Sequence, residues 1–448
     1  MNNKEEIIRK VRNNGFLLKN LPLELKNDQD IVLAAVTQNS CALNFASPDL
    51  QNNIEIVLTA VNRNGMALQY ASPHLQNNFE IVTAAKNQSN FALRFASENL
   101  QRDFFNQDFN LLRFLSGDLR NDKNIVLNSV QINGQNIYYA SPQLQRDREI
   151  VLAAVNQNGL SLKYLNSFKN DNEIVLAAVE SDGMALQYAS NELKNNNEIV
   201  LAAIRNDGNA YIYASPELKR EYNIATAAVE ENGLILSNIP DILKSNRDLN
   251  FNAITQNVNA FKYASNFQDD PDIIHHVVQR NGLLLKYAQY WYLNNDQKTI
   301  IFNTAINQNN LALEYVPISF KNNNRELILN LVNQNGLILR HTSPELKRDH
   351  EIVLAAVTNN GMAIKYTSRE LRGNSEIVFA AVINDSNAYR YAAQELQNDR
   401  NFIFNIIKQN NNALEHVNSY SNWNLKKTYI LSNNFLNENI IKKIVNFL

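Results

Sequence analysis

The stretch DREIVLAAVNQNGLSLKYLNSFKN, residues 147–170, decides the fold, because the chain repeats it almost from end to end. With Ile150 as a register mark, equivalents fall at Ile31, Ile56, Ile81, Ile125, Ile174, Ile199, Ile224, Leu249, Ile273, Ile301, Leu327, Ile352, Ile377 and Phe402. Most steps are 24 or 25 residues, a period that signals stacked structural repeats. Two places break step: a shortened unit within 101–124 (RDFFNQDFNLLRFLSGDLR) and some three extra residues within 286–300 (KYAQYWYLNND begins there). A divergent first unit covers 4–21, and no Pro/Gly/Ser-rich linker interrupts the series, so 1–448 reads as one continuous array.

Each unit has its own punctuation. Three residues before the mark stands Asp or Asn (Asp28, Asn53, Asn78, Asp147, Asp171, Asn196, Asp270, Asn324, Asp349), a side chain that accepts from the free N–H groups of a helix's first turn. Acids such as Glu149, Glu173 and Glu351 follow two places on, where the helix dipole favours them. Nine residues after the mark comes glycine (Gly65, Gly134, Gly159, Gly183, Gly208, Gly361), which reads as a left-handed helix stop; Val258 is the exception. Between cap and glycine lies a helix of about three turns. A second short helix follows, as in MALQYAS (66–72), and Ser-Pro at 47–48, 72–73, 141–142, 215–216 and 343–344 restarts one more turn.

A period near 25 also suits leucine-rich repeats. The core segment IVLAAV argues against that, since its alanine pair favours helix over strand and the alternating Leu-x-Leu of a horseshoe strand is missing. A short helix apolar nearly all round must be buried by neighbours, and stacking supplies the core that one unit lacks. The expected fold is all-α: an α-solenoid of about 25-residue helical-hairpin repeats in a single elongated superhelical array. NENIIKKIVNFL (437–448) is amphipathic and is expected to cap its open end.

The unit is similar to the repeat called domain of unknown function 4116; EIVLAAVESDGMALQYASNELKN (173–195) and HEIVLAAVTNNGMAIKYTSRELRG (350–373) carry the resemblance. That family occurs in bacteria and protists, including bacteria living inside eukaryotic cells. It brings no established activity or catalytic residues. The resemblance implies the repeat architecture and a cytoplasmic or host-directed setting.

Bulk properties narrow the function. A formal charge of −2 argues against a global nucleic-acid or membrane-surface binder. Cys41 is the single cysteine, which excludes an internal disulfide framework and fits a reducing compartment. The start, MNNKEEIIRKVRNNG, offers no signal peptide, and apolar runs such as IVLAAV are far shorter than the ~20 residues of a membrane span, so a soluble chain is expected. Catalytic candidates are thin. His275 and His276 are adjacent, so on a helix they diverge by ~100° and do not share a metal as i, i+4 histidines do. His341 and His416 stand in an aromatic column, and Cys41 has no histidine nearby in sequence. No metal site, cofactor, catalytic residue or small-molecule substrate is expected.

Two columns remain. Fourteen residues after the mark stands an aromatic (Phe45, Tyr70, Phe95, Tyr139, Tyr164, Tyr188, Tyr213, Tyr263, Tyr287, Tyr315, Tyr366, Tyr391), expected to be core. One residue earlier the side chain varies, and eight of sixteen are Lys or Arg against two acids, Glu314 and Glu415. Arg94, Lys163, Lys262, Lys286, Arg340, Lys365 and Arg390 form the candidate partner-binding ridge. Its plainer reading is a solvated face with cations near helix C-termini. The expected function is a non-enzymatic protein-interaction scaffold. The alternatives are a repeat-based binder of nucleic acid or of a phosphorylated or acidic ligand through the ridge, and an enzyme hidden at the irregular units.

Overall fold

The computed structural model describes residues 2–409; the expected cap over 437–448 and the column members His416 and Glu415 lie outside them. Among the described residues every regular element is helical and none is a strand. Residue contacts divide the chain into two compact units, Met1–Leu243 and Lys244–Leu448, and the same repeat builds both. The all-α repeat solenoid expected from the period is therefore what the chain forms, within each unit.

One repeat, residues 171–196, shows the construction. Asp171 is extended and accepts from Ile174 N–H at 3.1 Å, which starts the ten-residue helix Asn172–Ser181. Ile174, Val175, Ala178 and Val179 on this helix are fully buried. Asp182, again extended, ends the helix and caps a six-residue 3-10 helix, Gly183–Tyr188, by accepting from Met184 N–H at 2.9 Å. Ala185 and Leu186 of that segment are fully buried as well. A short turn, Leu193–Asn195, leads to the next cap, Asn196. Successive long helices pack side by side, successive 3-10 segments stack beside one another, and the core lies between these two layers.

The glycine column does not do what the sequence suggested. Among the described residues no glycine has a positive φ. Glycine opens the 3-10 segment, and the extended Asn or Asp before it ends the long helix. The physical reason for glycine is close approach: a Cβ at Gly65, Gly183 or Gly361 would lie 2.2, 2.3 and 2.2 Å from the carbonyl oxygen of Ala85, Ala203 and Ala381 in the next repeat. The glycine N–H is also held from that repeat. Gly183 N–H donates to Asn206 Oδ1 at 2.7 Å, and Asn206 Nδ2 returns a bond to the Glu180 carbonyl at 2.8 Å. Asn359 clasps Gly336 and the Asn333 carbonyl in the same way. Val258 and Asn310 stand in the glycine position where the 3-10 segment approaches the following long helix less closely, whereas Ser40 and Phe109 stand there with most of the approach kept.

Two more ladders join the repeats. At the long-helix starts, Lys123 bridges Asp147 at 2.9 Å and Glu149 at 2.8 Å, and Arg325 bridges Asp349 at 2.7 Å and Glu351 at 2.6 Å. Arg148 reaches Asp171 and Glu173 likewise. At the short turns, Ser72 Oγ donates to Asn52 Oδ1 at 2.5 Å while its N–H donates to the Gln51 carbonyl at 2.9 Å, a pattern recurring at Ser97, Ser141 and Ser215.

Both irregular units have simple geometry. From Ile81 to Ile125 the step is 44, six short of two 25-residue repeats. The loss falls between short turn and long helix, so the two fuse into one helix, Glu98–Gln107, running from Ser97 to Asp108. In the other, the extra residues lengthen the long helix at its start to Asn295–Gln308, with a capping box between Asn294 and Gln297. One expected cap is absent: Asn324 makes no side-chain cap bond, and its amide donates to the Phe320 carbonyl at 2.7 Å instead.

Candidate partner-binding ridge

The variable column is the fifth residue of each six-residue 3-10 segment. Buried residues at positions three and four (Ala185 and Leu186, Ala363 and Ile364) anchor the segment to the core, which turns position five outward. Arg94, Lys163, Lys262, Lys286, Arg340, Lys365 and Arg390 are all exposed. In the second unit the stacked segments bring Lys262, Lys286, Glu314, Arg340, Lys365 and Arg390 to successive positions, five cations and one acid. In the first unit Lys19, Arg94 and Lys163 are more dilute, with uncharged Asn44, Gln69, Tyr138, Gln187, Ile212 and Ser237 at the same position.

Sequence reasoning missed Arg113. The fused unit has no register mark, yet Asp108 caps Phe109–Phe114 and places Arg113 at position five. The signal was available, since FNLLRF (109–114) matches NFALRF (90–95).

The aromatic column beside the ridge differs from the expectation of core: Tyr164, Tyr263, Tyr287, Tyr366 and Tyr391 are half-buried. Position six lies at the outer edge of the segment, and one ring face stays uncovered by the core. The lysine next to it covers that face. Lys262 Nζ sits 4.5 Å from the Tyr263 ring centre, Lys286 Nζ 4.8 Å from Tyr287, and Lys365 Nζ 4.7 Å from Tyr366. Fully buried tyrosines stand instead at position four, where the Tyr211 and Tyr389 hydroxyls donate to the carbonyls of Lys219 at 2.6 Å and Gln397 at 3.0 Å. Burial raises the pKa of both phenols and keeps them neutral donors.

Charges at the two ends of a repeat are treated differently. The helix-start cations Arg148, Arg247 and Arg325 are all paired across repeats, and Arg148 and Arg325 hold the Asp171 and Asp349 carboxyls below the usual carboxylate range. Among the described residues, none of the seven ridge cations has a carboxylate within ion-pair distance. Glu314, the ridge acid, lies 3.6 Å from His341 Nδ1, and burial pulls that imidazole's pKa down.

Other titratable groups have structural roles. His275 bonds Gln279, and His276 packs on Phe251 with rings 5.2 Å apart, its pKa lowered by burial. Lys321 is buried with a lowered pKa, and it occupies the position where Lys219 and Lys347 donate to the Ile212 and Arg340 carbonyls at 2.5 and 2.8 Å. Among the described residues no three His, Cys, Asp or Glu side chains converge, and no helix is long and apolar enough to cross a membrane. The inserted turn opens a hollow of about 640 Å³ lined by Tyr290, Trp291, Lys298, Phe302 and Phe320 among others, with no carboxylate in its wall.

Comparison with family profiles finds the family described as Domain of unknown function (DUF4116) eight times, at residues 3–51, 53–101, 103–145, 147–193, 171–219, 222–268, 324–372 and 374–420. No curated protein and no solved structure matches the chain.

Proposed function

The chain belongs to the DUF4116 repeat family, and from that premise we propose that it is a non-enzymatic protein-interaction scaffold whose second unit binds a partner through the ridge Lys262–Arg390. The observation that carries the reading is the contrast in pairing. Helix-start cations are consumed by joints between repeats, whereas the ridge cations point outward and meet no carboxylate among the described residues. A constant frame with one variable exposed position per repeat suits a surface that selects a partner. The other recurring polar positions are spent on caps, clasps and ion pairs, which leaves the non-catalytic reading the simpler one. A reducing cytosol, of the cell itself or of a host, fits the single cysteine, and fractionation with antibody detection tests that placement.

The test is charge reversal of Lys262, Lys286, Arg340 and Lys365 together, followed by affinity capture from cytosol or host lysate. Helical circular dichroism should stay unchanged while the partner captured by the wild type is lost. Unchanged capture rejects the ridge as the site.

A further inference from the structure

We propose that the second unit's ridge recognises an extended, polyproline-II-like acidic segment carrying a carboxylate at every third residue. This inference rests on the ridge reading above and names the partner's chemistry. Ridge cations recur once per repeat, and packed helices stand about 8–10 Å apart, so the backbone positions that carry neighbouring cations are separated by roughly that distance. A polyproline-II segment rises 3.1 Å per residue with three residues per turn, which returns a side chain to the same face about every 9 Å. A β-strand covers a similar length in three residues but turns alternate side chains to opposite faces, so its third residue points away. The tyrosines beside the cations (Tyr263, Tyr287, Tyr366, Tyr391) are half-buried, and those under a lysine keep only what that side chain leaves uncovered to line the contact. Base stacking fits less well, because Lys262, Lys286 and Lys365 already lie over those rings.

Glu314 sets the register. It stands between Lys286 and Arg340 in the series, so a partner carboxylate at that step meets a like charge and a partner lysine there meets an opposite one.

Titrate the full chain by fluorescence anisotropy at about 0.1 M salt with labelled (Glu-Pro-Pro)6. Equal-charge comparison probes are one with glutamates at every second residue, one with a glutamate block, one helical peptide with glutamates every seventh residue, and oligouridine. The third-residue peptide should bind about tenfold or more tighter than every other probe. Replacing its third or its fourth glutamate by lysine should tighten binding in one case and weaken it in the other, according to chain direction. Glu314→Lys should strengthen binding of the parent peptide about threefold or more, as one exposed repulsion becomes an attraction. Equal affinity for any of the differently spaced peptides, or tighter binding of oligouridine, overturns the inference. If spacing proves irrelevant while the quadruple charge reversal still abolishes capture of the partner, the ridge reading survives and only the spacing is wrong. Peptide binding untouched by the charge reversal sinks both.

Discussion

Gly183→Ala should destabilise the joint between the repeats of Gly183 and Asn206 by about 1–3.5 kcal/mol. The added Cβ would stand 2.3 Å from the Ala203 carbonyl oxygen, 3.0 Å from Asp207 N and 3.2 Å from Asp207 Cβ. The nearest obstacle is backbone, so relief requires the two repeats to part by about an ångström. Overpacking of this kind costs about 1–3 kcal/mol. Parting also stretches the Gly183 N–H bond to Asn206, which contributes about 1 kcal/mol. Alanine's smaller unfolded-state entropy returns about 0.5–1 kcal/mol, since no positive φ opposes the substitution. Two companions set a scale. At Gly208 the nearest carbonyl, that of Ala228, lies 3.0 Å from the added atom, so Gly208→Ala should cost less. At Gly117 nothing lies within 4 Å, so Gly117→Ala should change stability by less than about 0.5 kcal/mol. Repeat proteins need not melt in one step, so hydrogen exchange resolved over 172–210 is the primary readout and urea unfolding the second. If Gly183→Ala protects its amides as well as wild type, or if the three variants lose stability equally, close approach is not what the glycine column is for.

Asn206→Ala removes both halves of the clasp on Gly183 and the Glu180 carbonyl, and urea unfolding should report a loss of about 1–2 kcal/mol. Tyr211→Phe leaves the Lys219 carbonyl without its buried donor and should cost about 1 kcal/mol by the same assay. Arg148→Met should lower the melting temperature slightly at neutral pH and low salt, with the difference shrinking toward 1 M salt. Because Arg148 depresses the folded-state pKa of Asp171, its stabilisation is present above the unfolded-state carboxylate pKa and lost as pH falls through the folded value. Melting curves of wild type and variant should therefore converge in acid.

Much of this fold was legible in the sequence because each repeat offers the same clue again. A single Asp147 before an apolar run is a weak helix start, whereas the same residue type at Asp28, Asn53, Asp171 and Asp349, each accepting from the mark residue's N–H, is a column. The apolar run likewise revealed its buried members. What stayed hidden depends on the neighbouring repeat. Glycine is found both at left-handed stops and at close contacts, and only the carbonyls of Ala85 and Ala203 distinguish the two. The Asn or Asp before that glycine reads as polar filler until its bond to the residue two places on is seen, as from Met184 to Asp182. The ridge is visible as a column in sequence, but its aromatic neighbours read as core there, because spacing does not show that position six lies at an edge.

The clasps, serine links and ion pairs between repeats carry a consequence for how such a chain changes over time. Lys123 meets Asp147 and Glu149 as Arg325 meets Asp349 and Glu351, so the rear of one unit accepts the front of a different one. Where one repeat opens on Lys or Arg and the next on Asp-x-Glu, duplicating or excising a 25-residue cassette therefore keeps the ion-pair junction, and the variable column gains or loses one exposed position. The length of the exposed column becomes adjustable in whole steps, with little renegotiation of how the polypeptide packs.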